Sequence, residues 1–210
     1  HDAFVNCYNT GEFVGAVYGG GIAGTLNTLN SSVPSTGLFN YQEATGSYSK
    51  GGLTGFSYLY YTFRGVYYHI DKLASGATNQ SMIAPKQKPL EAFQNGEVAY
   101  LLNTDDGKAA NSGTWSQGAD HPVFADGSTF LATQRITFTD VDGTFKYAYT
   151  QANGSVVAPA FNNVASWQDA ADNAVDLAGP FTADTTVFAV AKPPFEGAGT
   201  DDAPYRIETA

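Results

Sequence analysis

Two glycine-rich pentads constrain this chain more than any other feature. Gly20-Gly21-Ile22-Ala23-Gly24 and Gly51-Gly52-Leu53-Thr54-Gly55 share a Gly-Gly-aliphatic-x-Gly core. They lie about thirty residues apart, within the range of stacked structural units. Glycine accepts positive φ at corners and lets neighbouring backbones approach closely. A unit this short cannot bury its apolar side alone and must lean on a neighbour, so elongation is the default outcome and a catalytic pocket the exception. Ile22 and Leu53 then occupy equivalent positions and point into the stack.

The flanking sequence supports strands rather than helices. From Asp2 to about Ser75, short strand-like runs alternate with glycines: Phe4-Val5, Phe13-Val14 and Ala16-Val17-Tyr18. Tyr58, Tyr60, Tyr61, Phe63, Tyr67 and Tyr68 alternate in places, as a half-buried strand does. Gly76 to Lys88 reads as a polar loop broken by Pro85 and Pro89. Between Pro89 and Asn103 the period changes. Leu90, Phe93, Val98, Leu101 and Leu102 share one side of a helix, with Gly96 weakening its middle. Trp115 and His121-Pro122-Val123-Phe124 read as an extended return strand. From Leu131 to Ala191 a second β module is expected. It comprises Arg135–Thr139, a tight turn at Asp142-Gly143, Phe145–Tyr149, a second hairpin signal at Asn153-Gly154, and a closing strand at Thr185–Val190.

These residues resemble known modules. Gly21-Ile22-Ala23-Gly24 and Gly52-Leu53-Thr54-Gly55, preceded by Asn6-Cys7-Tyr8-Asn9-Thr10-Gly11, are similar to the GLUG repeat of large bacterial surface proteins. The second copy opens Asn40-Tyr41, then Ala44-Thr45-Gly46. It lacks the cysteine, and its Gly46–Gly51 spacer is shorter than the Gly11–Gly20 spacer. The passage from Phe93 to Val123 is similar to the connector that follows such arrays. Gly143, Gly154-Ser155-Val156, Pro159, Trp167 and Phe181 to Ala189 resemble the Listeria–Bacteroides repeat. Gly197 to Ile207, beyond a stiff Pro193-Pro194 linker, looks like the opening of another array. The resemblance implies a mainly β chain: a β-solenoid end with a short helical cap, followed by a small β-grasp-like domain. The implied boundaries are solenoid turns over 1–75, a helix-containing cap over 76–128, the β-grasp-like module over 129–191, and a linker with the start of a further segment over 192–210.

Composition narrows the function. A formal charge of −10 opposes nucleic acid, whose binding rests on basic patches, and docking on anionic membranes. No apolar run is long enough to span a bilayer. Cys7 is the one cysteine, so no disulfide forms within the chain. Its bland reading, a small buried apolar residue, is preferred to a nucleophile. His1, His69 and His121 are scattered without metal-ligand spacing. His69 and Asp71 on one strand side read as a rim pair rather than a metal site. Asp140-Val141-Asp142-Gly143 lacks the later acidic ligand of a calcium loop. No two carboxylates stand out as a glycosidase pair, and Gly19-Gly20-Gly21 lacks the residues of a phosphate loop.

The expected function is therefore non-catalytic, without cofactor or metal. The chain is read as a piece of a large secreted or surface-bound bacterial protein that spaces and presents neighbouring domains of the same polypeptide. One alternative is a module that binds glycans or host proteins through Tyr58, Tyr60, Tyr61, Tyr67 and Tyr68. Lining the stack is the bland role of those rings. Another alternative is an ancillary region of a large secreted peptidase or glycosidase.

Overall fold

The computed structural model describes residues 3–14, 18–26, 35–42, 44–45, 49–57, 63–69, 85–104 and 112–193. Among them the chain is mainly β. Its opening contains β1 (Val5–Asn9), β2 (Phe13–Val14), β3 (Tyr18–Gly20), β4 (Ala23–Leu26), β5 (Ser35–Asn40), β6 (Ala44–Thr45), β7 (Ser49–Gly51), β8 (Thr54–Ser57), β9 (Phe63–His69) and β10 (Lys86–Lys88). Two helices follow, α1 (Leu90–Gln94) and α2 (Glu97–Thr104). The remainder holds β11 (Trp115–Gln117), β12 (Pro122–Phe124), β13 (Arg135–Thr139), β14 (Phe145–Tyr149), β15 (Val164–Gln168) and β16 (Thr185–Ala191).

The opening strands pair in parallel at one fixed offset. Val5 faces Thr36, Phe13 faces Ala44, Tyr18 faces Ser49 and Ala23 faces Thr54, each pair 31 residues apart. A third strand, β9, joins β5 in parallel with Leu38 opposite Val66, and β10 joins β9. The resulting sheet runs β1-β5-β9-β10. This register matches the pentad alignment, with Gly20 opposite Gly51, and corrects only the Gly11–Gly46 equivalence. Phe13 pairs with Ala44, so the position of Gly11 matches Gln42 rather than Gly46, and the two spacers are equal. The cysteine position is filled by Leu38.

One backbone feature repeats in all three strands. Asn6, Gly37 and Gly65 hold φ of +52°, +65° and +55°, and they occupy equivalent places between paired neighbours. Glycine suits this left-handed conformation, and asparagine tolerates it better than other L-residues. A Cβ on Gly37 would lie 2.4 Å from the Asn6 Oδ1, so the Asn6 side chain would have to shift to admit one.

Alternation then divides the sheet's residues between two cores. Leu38, Leu53, Phe63 and Val66 form an interior cluster against which Phe4, Cys7, Ile22 and Ala23 pack. Leu53 is fully buried, and its carbonyl accepts the amides of Ile22 (2.9 Å) and Ala23 (3.0 Å). Ile22 and Leu53 thus sit together in the stack. On the opposite side, Phe39 and Tyr67 meet Ala92, Phe93, Val98, Leu102 and Trp115 from the helical connector.

The connector differs from the expected single helix and loop. Gly96, at φ +95°, leaves the helical path and separates α1 from α2, and a Cβ there would come within 2.7 Å of the Tyr149 Cβ. Asn95 Oδ1 accepts the Glu97 amide at 2.9 Å across the break. Lys86–Lys88, expected as loop, is the edge strand β10. Trp115 and His121–Phe124 form not one strand but an antiparallel pair, β11 with β12. Asn103, fully buried, fixes this pair to α2. Its Nδ2 donates to the Trp115 carbonyl (2.8 Å), and its Oδ1 accepts from the amides of Thr114 (3.0 Å) and Trp115 (2.8 Å).

The last sheet has the order β14-β13-β16-β15. β13 and β14 form the expected hairpin through Asp142-Gly143, β16 lies parallel to β13, and β15 is antiparallel to β16. Ile136, Phe138, Val156, Trp167 and Val187 make its core. Asn153-Gly154 forms a turn, but no strand follows it. Val164–Gln168, unassigned from sequence, is β15.

Candidate functional site

Of the five tyrosines proposed for ligand binding, the two among the described residues are buried. Tyr67 is fully buried and Tyr68 is 4% exposed. Tyr58, Tyr60 and Tyr61 lie outside the described residues, as does Asp71. In register, Tyr67 continues a ladder that starts at Tyr8 and Phe39. The Tyr8 and Phe39 rings stack 5.0 Å apart at 7°. Trp115 meets both edge-on, at 5.9 and 5.6 Å. Phe124 closes against Trp115 at 4.6 Å, and His121 lies 5.6 Å from Tyr41. Stacked and edge-to-face pairs of this kind stabilise packing beyond burial alone. The arrangement seals the outer side of the sheet and leaves Tyr8 and Phe124 partly exposed at its rim.

A polar junction joins α2 to the last sheet. Tyr100 Oη donates to Asp184 Oδ2 at 2.7 Å, and the Arg135 amide donates to Asp184 Oδ1 at 2.9 Å. The Arg135 guanidinium lies 5.2 Å from the Tyr100 ring and 4.8 Å from the Tyr147 ring, within cation–π range. Burial, then the hydrogen bond to Asp184 and its charge, push the Tyr100 phenol up to about 12. Burial, then the charge of Glu97, raises Tyr149 to about 12 as well. Both phenols stay protonated at neutral pH. The junction links residues 84 positions apart, and no sequence pattern announces that pairing. The one readable sign is that alternation places Arg135 opposite the core face of β13.

Other candidates resolve into turns. Asp126 Oδ1 accepts the amides of Ser128, Thr129 and Phe130 at 2.7–2.8 Å. These bonds, Phe130's first, hold its carboxyl below the ordinary range. The Thr144 amide and hydroxyl lower Asp142 in the same way, so the suspected calcium motif is an Asx turn. Asn173 and Ala171 lower Asp169. Cys7 is partly buried, and its thiol points to the Val5 carbonyl at 3.4 Å. Among the described residues, no three His, Cys, Asp or Glu side chains gather as metal ligands. No helix among them is long and apolar enough to cross a membrane.

Two clefts open on the surface of the described residues. One, of about 300 Å³, is lined by Glu91, Asn95, Tyr147, Tyr149, Val157 and Pro159 among others. The second, of about 440 Å³, lies between Gln117, Thr129 and Phe130 on one side and Gln151, Asn153 and Ser155 on the other. Neither brings a nucleophile to a base. No family model, curated protein or solved structure matches the chain.

Proposed function

We propose that this chain is a non-catalytic structural module: the end of a β-solenoid, a helical cap, and a β-grasp-like domain that spaces and presents other parts of a secreted or surface-bound bacterial protein. The observation that carries the reading is the constant 31-residue parallel offset across four strand pairs. Such stacking shares backbone hydrogen bonds and an apolar interior between layers, which is the physical basis of a stiff rod. The helical segment supports the cap reading, because Phe93, Val98 and Leu102 cover the outer side of the sheet. The order β14-β13-β16-β15, with its parallel central pair, supports the β-grasp-like reading. The strongly acidic balance suits a soluble extracellular rod.

Length is the property that a spacer must control. Inserting three further copies of residues 5–35 should preserve a cooperative fold. It should also lengthen the molecule by about 14 Å, three spacings of about 4.7–4.9 Å, as read by small-angle scattering. Insertions that unfold, or that add volume without length, would overturn the proposal.

A further inference from the structure

The last sheet has two unlike faces. Ile136, Phe138 and Val187 turn to the core. Alternation therefore places Arg135, Thr137 and Thr139 of β13, and their β14 partners Tyr149, Tyr147 and Phe145, on the other face. Helix α2 covers one end of that face, where Tyr100 meets Tyr149 at 5.4 Å. The rest is open. Phe145 is 58% and Tyr147 47% exposed, with ring centroids 5.4 Å apart. The open part is thus continuous with the α2 interface, and Tyr147 and Arg135 lie on its border.

Arg135 marks what this surface would recognise. Asp184, the carboxylate at the junction, directs its oxygens to the Tyr100 hydroxyl and the Arg135 amide, leaving the guanidinium on the two aromatic rings. The Arg135 Nε is buried without a hydrogen-bond partner, and among the described residues no carboxylate forms an ion pair with the guanidinium. Such a cation can pair locally with a single carboxylate, against the acidic balance of the chain as a whole. A guanidinium takes a carboxylate bidentately, and exposed rings offer apolar faces.

We propose that this open face binds an acidic polysaccharide. Pyranose rings lie on Phe145 and Tyr147, a uronate carboxylate takes Arg135, and the threonine hydroxyls of β13 meet sugar hydroxyls. A sugar fits better than an acidic peptide because the surface offers flat rings and hydroxyls. The site belongs to the last sheet and does not depend on the layered segment, so its failure and that of the spacer reading are distinguishable.

Titration calorimetry with polygalacturonate, dextran and poly-glutamate tests the proposal. The chain should bind polygalacturonate, more weakly as salt rises, and prefer it to both comparators. Tyr147→Ala and Phe145→Ala should each weaken binding by about tenfold, and Phe145→Ala, at an exposed position, should do so without shifting the melting temperature. Arg135→Gln should remove the preference for polygalacturonate over dextran. Because Arg135 packs between rings, Arg135→Lys serves as the folded control and should retain the salt dependence. Absence of polygalacturonate binding would overturn the proposal. Binding that survives both Tyr147→Ala and Arg135→Gln would do so too, as would poly-glutamate binding of equal strength.

Discussion

Replacing Gly55 with alanine probes the close approach of stacked layers directly. A Cβ on Gly55 would lie 2.7 Å from the Gly19 amide nitrogen and 2.8 Å from the carbonyl oxygens of both Gly19 and Gly24. All three are backbone atoms of the preceding layer, so no side-chain rotation relieves the overlap. The β4–β8 pairing around Ala23 and Thr54 must open instead. Overpacking of this kind costs about 1–3 kcal/mol and occasionally more, and the purely backbone contacts place Gly55→Ala at the upper end, about 3 kcal/mol. Gly143→Ala is the control. Its Cβ would meet nothing within 4 Å, but its φ is +86°, so left-handed strain alone applies, about 1–2 kcal/mol. Urea unfolding gives the two costs, and hydrogen exchange by mass spectrometry locates them. Gly55→Ala should lose protection in β3, β4, β7 and β8 while β13–β16 keep theirs. A Gly55→Ala midpoint equal to that of the parent chain, or loss confined to β13–β16, would refute the reasoning.

Further outcomes follow from the connector and its junction. Asn103→Ala leaves the Thr114 and Trp115 amides without their acceptor and the Trp115 carbonyl with the Thr133 amide alone. It should destabilise the chain by about 2–4 kcal/mol, measured by urea titration of tryptophan fluorescence. Tyr100 and Tyr149 carry phenols raised from 10.0 to about 12. The folded state therefore binds more protons than the unfolded one between those values. The stability they contribute is complete below about pH 10 and falls as pH rises toward 12. A Tyr100→Phe, Tyr149→Phe double variant should show a flatter decline in melting temperature over that window.

The glycine pentads made the layered opening legible because close backbone approach leaves few other residues possible. They also carried the pairing register, since Gly20 pairs with Gly51 and Ala23 with Thr54; only the outlying Gly11–Gly46 equivalence misled. Gly46 is not the partner of Gly11, and the repeated left-handed position changes from asparagine at Asn6 to glycine at Gly37 and Gly65. β5 is hidden in Ser35-Thr36-Gly37-Leu38-Phe39-Asn40, whose serine and glycine read locally as a turn although partners lie on both sides. β10 is hidden in a polar Lys-Gln-Lys run that pairs along one edge. The helix was readable by period and Gly96 marked its weak point, but the packing of Tyr149 against Gly96 was not readable. The β13–β14 hairpin followed from alternation and its turn. For Tyr67 and Tyr68, the stack-lining role was the preferred reading and both are buried, but alternation did not say that a later connector covers Tyr67. The junction of Tyr100, Asp184 and Arg135 depends on docking between distant segments.

The parallel 31-residue register is the claim on which the spacer reading stands, and proton NMR tests it most directly. The register predicts interstrand contacts linking Cys7 with Leu38, Ala23 with Thr54, and the Ile22 amide with the Leu53 carbonyl neighbourhood. Contacts pairing Val5 with Asn40 and Asn9 with Thr36, the signature of an antiparallel arrangement of the same two strands, would contradict it.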